Sequence, residues 1–287
     1  MIVITGANGV FGRHVTEQLL KLVPAKDIVV SVRDTAKAEP LTQRGVAVRH
    51  GDFEQPETLP AAFAGADVVF VNATNYGTPP QQRGRQQAAA IHAAVAAGAT
   101  RVVLTSWIEA DTCTLPAAAD YAQTERLLAQ ANLEGIALRL TYGLADAAAR
   151  DVRWALSSGE VVAPAATARV TTAATTDLAE AAARVLLEPS PTHIYELTAP
   201  DAISWQDIAT LASEIGNKEI PYRAVDSDEY RTVVAPNGWP DSAVSQLIDL
   251  YTAFRAGWAN TAYKDLERVL GRTPTPSLDA VRDALAR

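Results

Sequence analysis

Gly6, Gly9 and Gly12 stand three residues apart, between the apolar run Ile2-Val3-Ile4 and a segment with apolar residues at helical spacing. Each suits a different mechanical task. Gly6 permits a tight turn with positive φ. Gly9 removes a Cβ, so that a pyrophosphate can reach the backbone amides at a helix start. Gly12 lets that helix pack closely on the sheet. Asn8, Val10 and Phe11 complete the turn and are expected to face the same anion. An ordinary strand–turn–helix connection can carry glycines too; the apolar strand before and the helix after favour dinucleotide binding. A second group is rich in hydroxyls: Thr105 and Ser106 follow an apolar run, with Tyr121 and Tyr142 downstream. Such groups can orient a carbonyl or hand it a proton.

These residues need a scaffold. Strands are expected at 2–5, 28–32, 46–49, 68–72, 102–105 and 136–140, and helices at 11–22, 35–44, 56–63, 82–97 and 119–131. Short β-branched runs alternating with amphipathic helices imply βαβ units, hence an α/β, Rossmann-type, doubly wound parallel sheet. Ligands then sit at the carboxyl ends of the strands, near the switch point beside the first.

The strand ends therefore carry the candidates. Arg33 closes the second strand, with Lys37 one helical turn on. A guanidinium there would pair with a 2′-phosphate and favour NADP over NAD. The rival uses Asp34 as a ribose carboxylate, and the bland alternative pairs Arg33 with Asp34 on a solvated surface. Asp34 can instead cap the next helix. Asp52 and Phe53 follow the third strand, where a carboxylate can accept from an adenine amino group or simply form a turn. Asn72, Ala73 and Thr74 follow the fourth, small enough to pass beneath a ribose and pyrophosphate, and Tyr76 lies in the Gly/Pro-rich rim beyond.

A tyrosine-based hydride-transfer site needs Tyr-x-x-x-Lys, the lysine lowering the tyrosine's pKa. Here Tyr121 is followed four residues later by Glu125. A carboxylate there would oppose a tyrosinate by like-charge repulsion. Arg126 points about 100° away around an ideal helix.

Thr5-Gly6-Ala7-Asn8-Gly9, Ser31-Val32-Arg33-Asp34 with Lys37-Ala38, Val48-Arg49-His50-Gly51-Asp52-Phe53 and Arg139 together resemble the NmrA-like atypical short-chain dehydrogenases. Within these, the chain is most similar to the bacterial NADPH:quinone oxidoreductase and triphenylmethane reductase branch. The resemblance runs nearly end to end, through Thr175–Ala181, Tyr195–Thr198 and the Ser204-x-x-Asp207 capping-box segment. It implies an NADP-binding large domain and a small lobe closing over the cleft. It departs at Leu140, where relatives often carry asparagine, and at Tyr121, where the quinone reductases tend to place histidine. The family also contains members that sense the nucleotide without reducing anything.

The domains expected are an NADP-binding unit over 1–150, with 160–200 completing its sheet, and a small α+β lobe over 201–287. There, Trp239, Tyr251, Phe254 and Trp258 either line a flat pocket or pack the lobe. With a formal charge of −8 and pI near 5.1, nucleic acid and anionic membranes are poor partners. The lone Cys113 excludes an intramolecular disulfide and fits a cytoplasmic setting. No apolar run approaches the roughly 18 residues of a membrane span, and four scattered histidines give no metal spacing. The expected activity is NADPH-dependent reduction of a quinone-like or aromatic small molecule; the alternative is an NADP-sensing regulator. A homodimer stays open.

Overall fold

Alternate residues of the central strands face opposite layers. Ile2 and Ile4 join one core while Val3 joins the other, and Phe70 and Val103 oppose Val69 and Val102 in the same way. The computed structural model describes residues 1–72, 78–79 and 81–286. Ala73, Thr74 and Tyr76, expected at the cofactor or the rim, lie outside the described residues.

The first half alternates β1 (Ile2–Thr5), α1 (Val10–Leu22), β2 (Ile28–Val32), α2 (Glu39–Thr42), β3 (Ala47–His50), α3 (Leu59–Phe63), β4 (Val68–Val71), α4 (Gln82–Ala96), β5 (Arg101–Trp107), α5 (Ala118–Gln130) and β6 (Glu134–Leu140). Then follow α6 (Leu144–Ser158), β7 (Val161–Ala163), β8 (Arg169–Val170), α7 (Thr175–Leu187), β9 (Ile194–Leu197), β10 (Ile203–Ser204) and α8 (Trp205–Gly216). The chain closes with β11 (Tyr222–Ala224), α9 (Ser227–Val234), α10 (Asp241–Arg255), α11 (Asp265–Leu270) and α12 (Ser277–Leu285). The expected helix over 35–44 is split into a 3₁₀ turn at Ala36–Ala38 and the short α2, with Pro40 in its first turn.

Seven parallel strands make the main sheet, in the order β3-β2-β1-β4-β5-β6-β9. The order reverses between β1 and β4, which opens a crevice at their carboxyl ends. Thr5 ties that crevice: its Oγ1 donates to the Phe70 carbonyl at 3.0 Å and accepts the Asn72 N–H at 2.9 Å. Helices α1, α7 and α11 cover one face, and α3, α4 and α5 supply the other core.

A third core belongs to the lobe. It joins α6 and β7 to Trp205 and Ile208 of α8, Tyr230 of α9, and Tyr251 and Phe254 of α10. The expected cut at 201 therefore needs correcting. β7 pairs with β11 and β8 with β10, so 161–170 belongs with the lobe strands, while β9 alone extends the sheet beside β6. In the other direction α11 returns to the sheet, placing Leu266 and Leu270 in the core of α1 and α7. Core sharing, not sequence order, divides this chain. Among the described residues no helix is long and apolar enough to cross a membrane.

Candidate active site

The glycine turn presents an anion cradle. Gly6 has φ +67°, donates its N–H to Ser31 O at 3.2 Å and accepts from Gly9 N at 3.0 Å. The first backbone bond of α1 runs from Arg13 N to Gly9 O at 3.0 Å, leaving the N–H groups of Val10, Phe11 and Gly12 without an intrahelical acceptor. These amides and the positive helix end suit a pyrophosphate. Gly12 is small for a closer reason than sheet packing. A Cβ there would lie 2.3 Å from the Gly6 carbonyl oxygen and 2.8 Å from its carbon, so α1 starts against the turn itself.

Asn8 tethers rather than merely lines the turn. Its Nδ2 donates to Asp34 O at 2.8 Å, drawing the glycine turn to the end of β2. Asp34 does not cap the next helix as expected; it forms an Asx turn instead, its Oδ1 accepting from Ala36 N at 3.1 Å. Lys37 is turned to solvent, 73% exposed, and pairs with Asp34 at 3.4 Å, so the partner of Asp34 is Lys37 and not Arg33, as the bland alternative had it. Arg33 keeps an exposed side chain at the strand end, its carbonyl held by His50 Nδ1 at 3.1 Å. Arg13, passed over in the sequence, reaches the same corner by donating to Asn8 O at 3.3 Å. Its only signal was its place immediately after the third glycine. Asp52 forms a turn, accepting from Glu54 N at 3.0 Å, and Phe53 leans half-buried on the α3–α4 core. Both lie after β3, at the end of the crevice expected for adenine.

Between this cradle and the lobe runs a cavity of about 650 Å³. Gly9, Val10, Phe11 and Asn72 form its cofactor end. Thr105, Ser106 and Trp107 enter from β5, Tyr121 from α5, and Leu140 and Tyr142 from the end of β6. Trp239, Leu247, Leu250 and Trp258 close it from the lobe. Of the four lobe aromatics singled out in the sequence, Trp239 and Trp258 line the cleft, whereas Tyr251 and Phe254 pack beneath it.

The hydroxyls divide by setting. Thr105, Ser106 and Tyr121 are buried; Tyr142 is 38% exposed at the rim, its ring 5.0 Å from that of Phe11. Ser106 Oγ is buried yet has no hydrogen-bond partner among the described residues, an unsatisfied group at a cavity wall. Tyr121 has two ring contacts among the described residues. Trp107 stacks on its ring at 5.2 Å and 18°, and the Arg83 guanidinium carbon lies 5.0 Å from its centroid. Trp107 also meets Trp258 at 5.6 Å, while Trp258 Nε1 donates to Ile108 O at 2.9 Å. This aromatic wall crosses from sheet to lobe.

Glu125 does not face a tyrosinate unneutralised. Arg139 grips it through Nε to Oε1 at 2.9 Å and Nη2 to Oε2 at 2.7 Å, and also reaches Glu196 at 2.7 Å and Asp111 at 3.0 Å. Burial alone would lower the pKa of Arg139; hydrogen bonds and charges from Glu125 and Glu196 raise it above its ordinary value. Among the described residues no cluster of His, Cys, Asp and Glu could hold a metal.

A second arginine was missed as well: Arg150 of α6, which lines the cavity. No short motif marks it, because it reaches the cleft only through the placement of α6 against the lobe.

The wider comparisons agree with this geometry. Residues 6–189 match a family described as NAD(P)H-binding. Quinone oxidoreductase 2 of Escherichia coli is 31% identical, over 98% of this chain and 97% of that protein. The solved Citrobacter sp. triphenylmethane reductase superposes with TM-score 0.90 at 30% identity, covering 100% and 99% of the two chains. The crystal structure of the Escherichia coli NADPH-dependent quinone oxidoreductase complexed with NADPH gives 0.89 at 29%, covering 99% of both. The glycine cradle, the parallel sheet and these matches point one way: the chain belongs to the NAD(P)H-binding family.

Proposed function

We propose that this NAD(P)H-dependent oxidoreductase uses NADPH to reduce a planar, conjugated, electron-poor acceptor of the quinone type. The carrying observation is the aromatic wall Tyr121–Trp107–Trp258 along a cleft that begins at the cofactor cradle. When bound, the cofactor supplies a hydride, two electrons with one hydrogen nucleus, and a quinone needs one further proton to become the hydroquinone.

The residues supply geometry more than acid–base power. The amides of Val10, Phe11 and Gly12 hold the pyrophosphate, and Arg33 with Arg13 faces the 2′-phosphate. Trp107, Trp239 and Trp258 hold a flat ring in place and keep water away. Ser106 Oγ and the Tyr121 hydroxyl orient a carbonyl oxygen. A simple ketone would become a strongly basic alkoxide and reward a poised donor. A quinone becomes a delocalised phenolate that a weak donor or water can protonate, which suits a site with Glu125 where a lysine would serve alcohol chemistry.

The test is NADPH oxidation across a panel of small quinones and dyes. Turnover with quinones and not with aliphatic ketones is expected. Binding of NADPH with no turnover on any member would overturn the reductase reading and leave a nucleotide sensor.

A further inference from the structure

Arg150 is the one charged residue among the described residues that line the cleft. It is held there. Its Nη2 and Nε donate to Asp151 Oδ1 at 2.8 and 3.1 Å. The other Asp151 oxygen is turned into the lobe core, accepting from Trp205 Nε1 at 2.9 Å and the Tyr251 hydroxyl at 2.7 Å. The carboxylate is thus buried behind the guanidinium, with its acceptor sites occupied, and the cleft meets the positive end of the pair. Arg150 Nη1 makes no hydrogen bond to any described residue, and the side chain is 32% exposed. Burial alone would lower its pKa; the charge of Asp151 raises it above the ordinary value, so the group stays cationic wherever the protein is folded.

A pinned cation with a spare donor, in a cavity otherwise lined by apolar and uncharged side chains, has a definite recognition chemistry. It forms charge-assisted hydrogen bonds with an oxyanion and repels a cation. We infer that Arg150 selects acceptors carrying an anionic substituent, a carboxylate or sulfonate on the aromatic frame, and disfavours cationic dyes. The inference rests on the cleft being the acceptor site, as proposed above. The ring lies on the aromatic wall, while the anionic group reaches α6. Gln246 of α10 also lines the cleft and adds an uncharged amide.

The test uses binding, so that it stands apart from turnover. Protein loaded with NADP⁺ is titrated calorimetrically with naphthalene-2-sulfonate and with naphthalene-2-sulfonamide, of similar shape but without the charge. The sulfonate is expected to bind roughly tenfold more tightly, the equivalent of one hydrogen bond to a charged group, and the ratio should fall as salt is raised. Arg150→Gln is expected to bring the ratio to about one, and Arg150→Lys to keep part of it. Equal affinities in the unmodified protein, or a preference that persists in Arg150→Gln, overturns the inference. Should Arg150→Gln unfold for want of a partner to Asp151, the unmodified protein's ratio and its salt dependence still decide. Reduction of a neutral quinone is measured in parallel: its failure beside a clear sulfonate preference removes the reductase reading and leaves the anion site.

Discussion

Arg139 and Glu125 form two parallel N–H···O bonds, 2.9 and 2.7 Å long, between the end of β6 and helix α5. Their side chains are 6% and 9% exposed, so the pair works in low dielectric. Position 125 is where a tyrosine-lysine dyad would place its lysine, and here it is committed to holding the sheet and α5 together.

Restoring the dyad by Glu125→Lys should therefore fail. The new ammonium would face the buried Arg139, and Glu196 and Asp111 would be left to balance two cations. Breaking a buried pair costs about 3–5 kcal/mol, a fall in Tm of roughly 5–8 °C for a chain of this size. Glu125→Gln should cost less, because Arg139 keeps Glu196 and Asp111. Thermal unfolding ranks the two variants, and ketone reduction by Glu125→Lys at unchanged Tm would refute the assignment.

Gly12→Ala tests the cradle. Its Cβ would meet the Gly6 carbonyl oxygen at 2.3 Å, backbone against backbone, so either the turn or α1 must move. Overpacking of this kind costs roughly 1–3 kcal/mol, and displacing three amides should weaken NADPH binding by more than tenfold. Fluorescence titration with NADPH, alongside Tm, separates loss of binding from loss of fold.

Much of this was legible in residue order. The Gly6–Gly12 turn announced itself because strand, glycines and helix are contiguous, and Ile2–Thr5 and Ile28–Val32 stood out as short β-branched runs. The strand pairs β7–β11 and β8–β10 were not legible, since two or three residues carry no periodicity and their partners lie over thirty residues away. Glu125 could be seen to replace a lysine, but its partner Arg139, on the next strand, belongs to tertiary structure. Arg150 and Arg13 escaped for the same reason: each is an ordinary helical arginine until the fold shows what it faces.

Arg33 should set the cofactor preference. Replacing it with glutamine removes a charge-assisted contact to the 2′-phosphate, worth about 1.5–3 kcal/mol, so the Kd for NADPH should rise roughly tenfold or more while NADH binding stays within about twofold. Lys37→Gln should do far less, because Lys37 already points to solvent and to Asp34. Equal losses for both nucleotides in Arg33→Gln would place the 2′-phosphate elsewhere.

Tyr121→Phe keeps the stack on Trp107 and removes only the hydroxyl. If the acceptor is a quinone whose reduced form is protonated readily, kcat should fall by less than about tenfold, well short of the roughly hundredfold or more that a general acid contributes. Ser106→Ala should raise KM more than it lowers kcat, because its role is orientation. A loss of several thousandfold in Tyr121→Phe would instead make the tyrosine an obligatory proton donor and point to ketone chemistry.

The lobe should be the alkali-sensitive part of the molecule. Burial, reinforced by the charge of Asp151, pushes the Tyr230 phenol up to about 12. Burial likewise lifts Tyr222 to about 12 and Tyr251 well above its ordinary value. In the unfolded chain a phenol titrates near 10. Between these values the unfolded state binds fewer protons than the folded one, so stability falls as pH rises. The contribution is complete below about pH 10 and disappears by about pH 12, on the order of 2 kcal/mol for Tyr230, which is 1% exposed. Urea unfolding followed by tryptophan fluorescence at pH 9 and 11 should show this decline. Tyr230→Phe removes one titrating phenol and should flatten the slope; an unchanged slope would mean that Tyr230 ionises as freely in the folded lobe as in the unfolded chain.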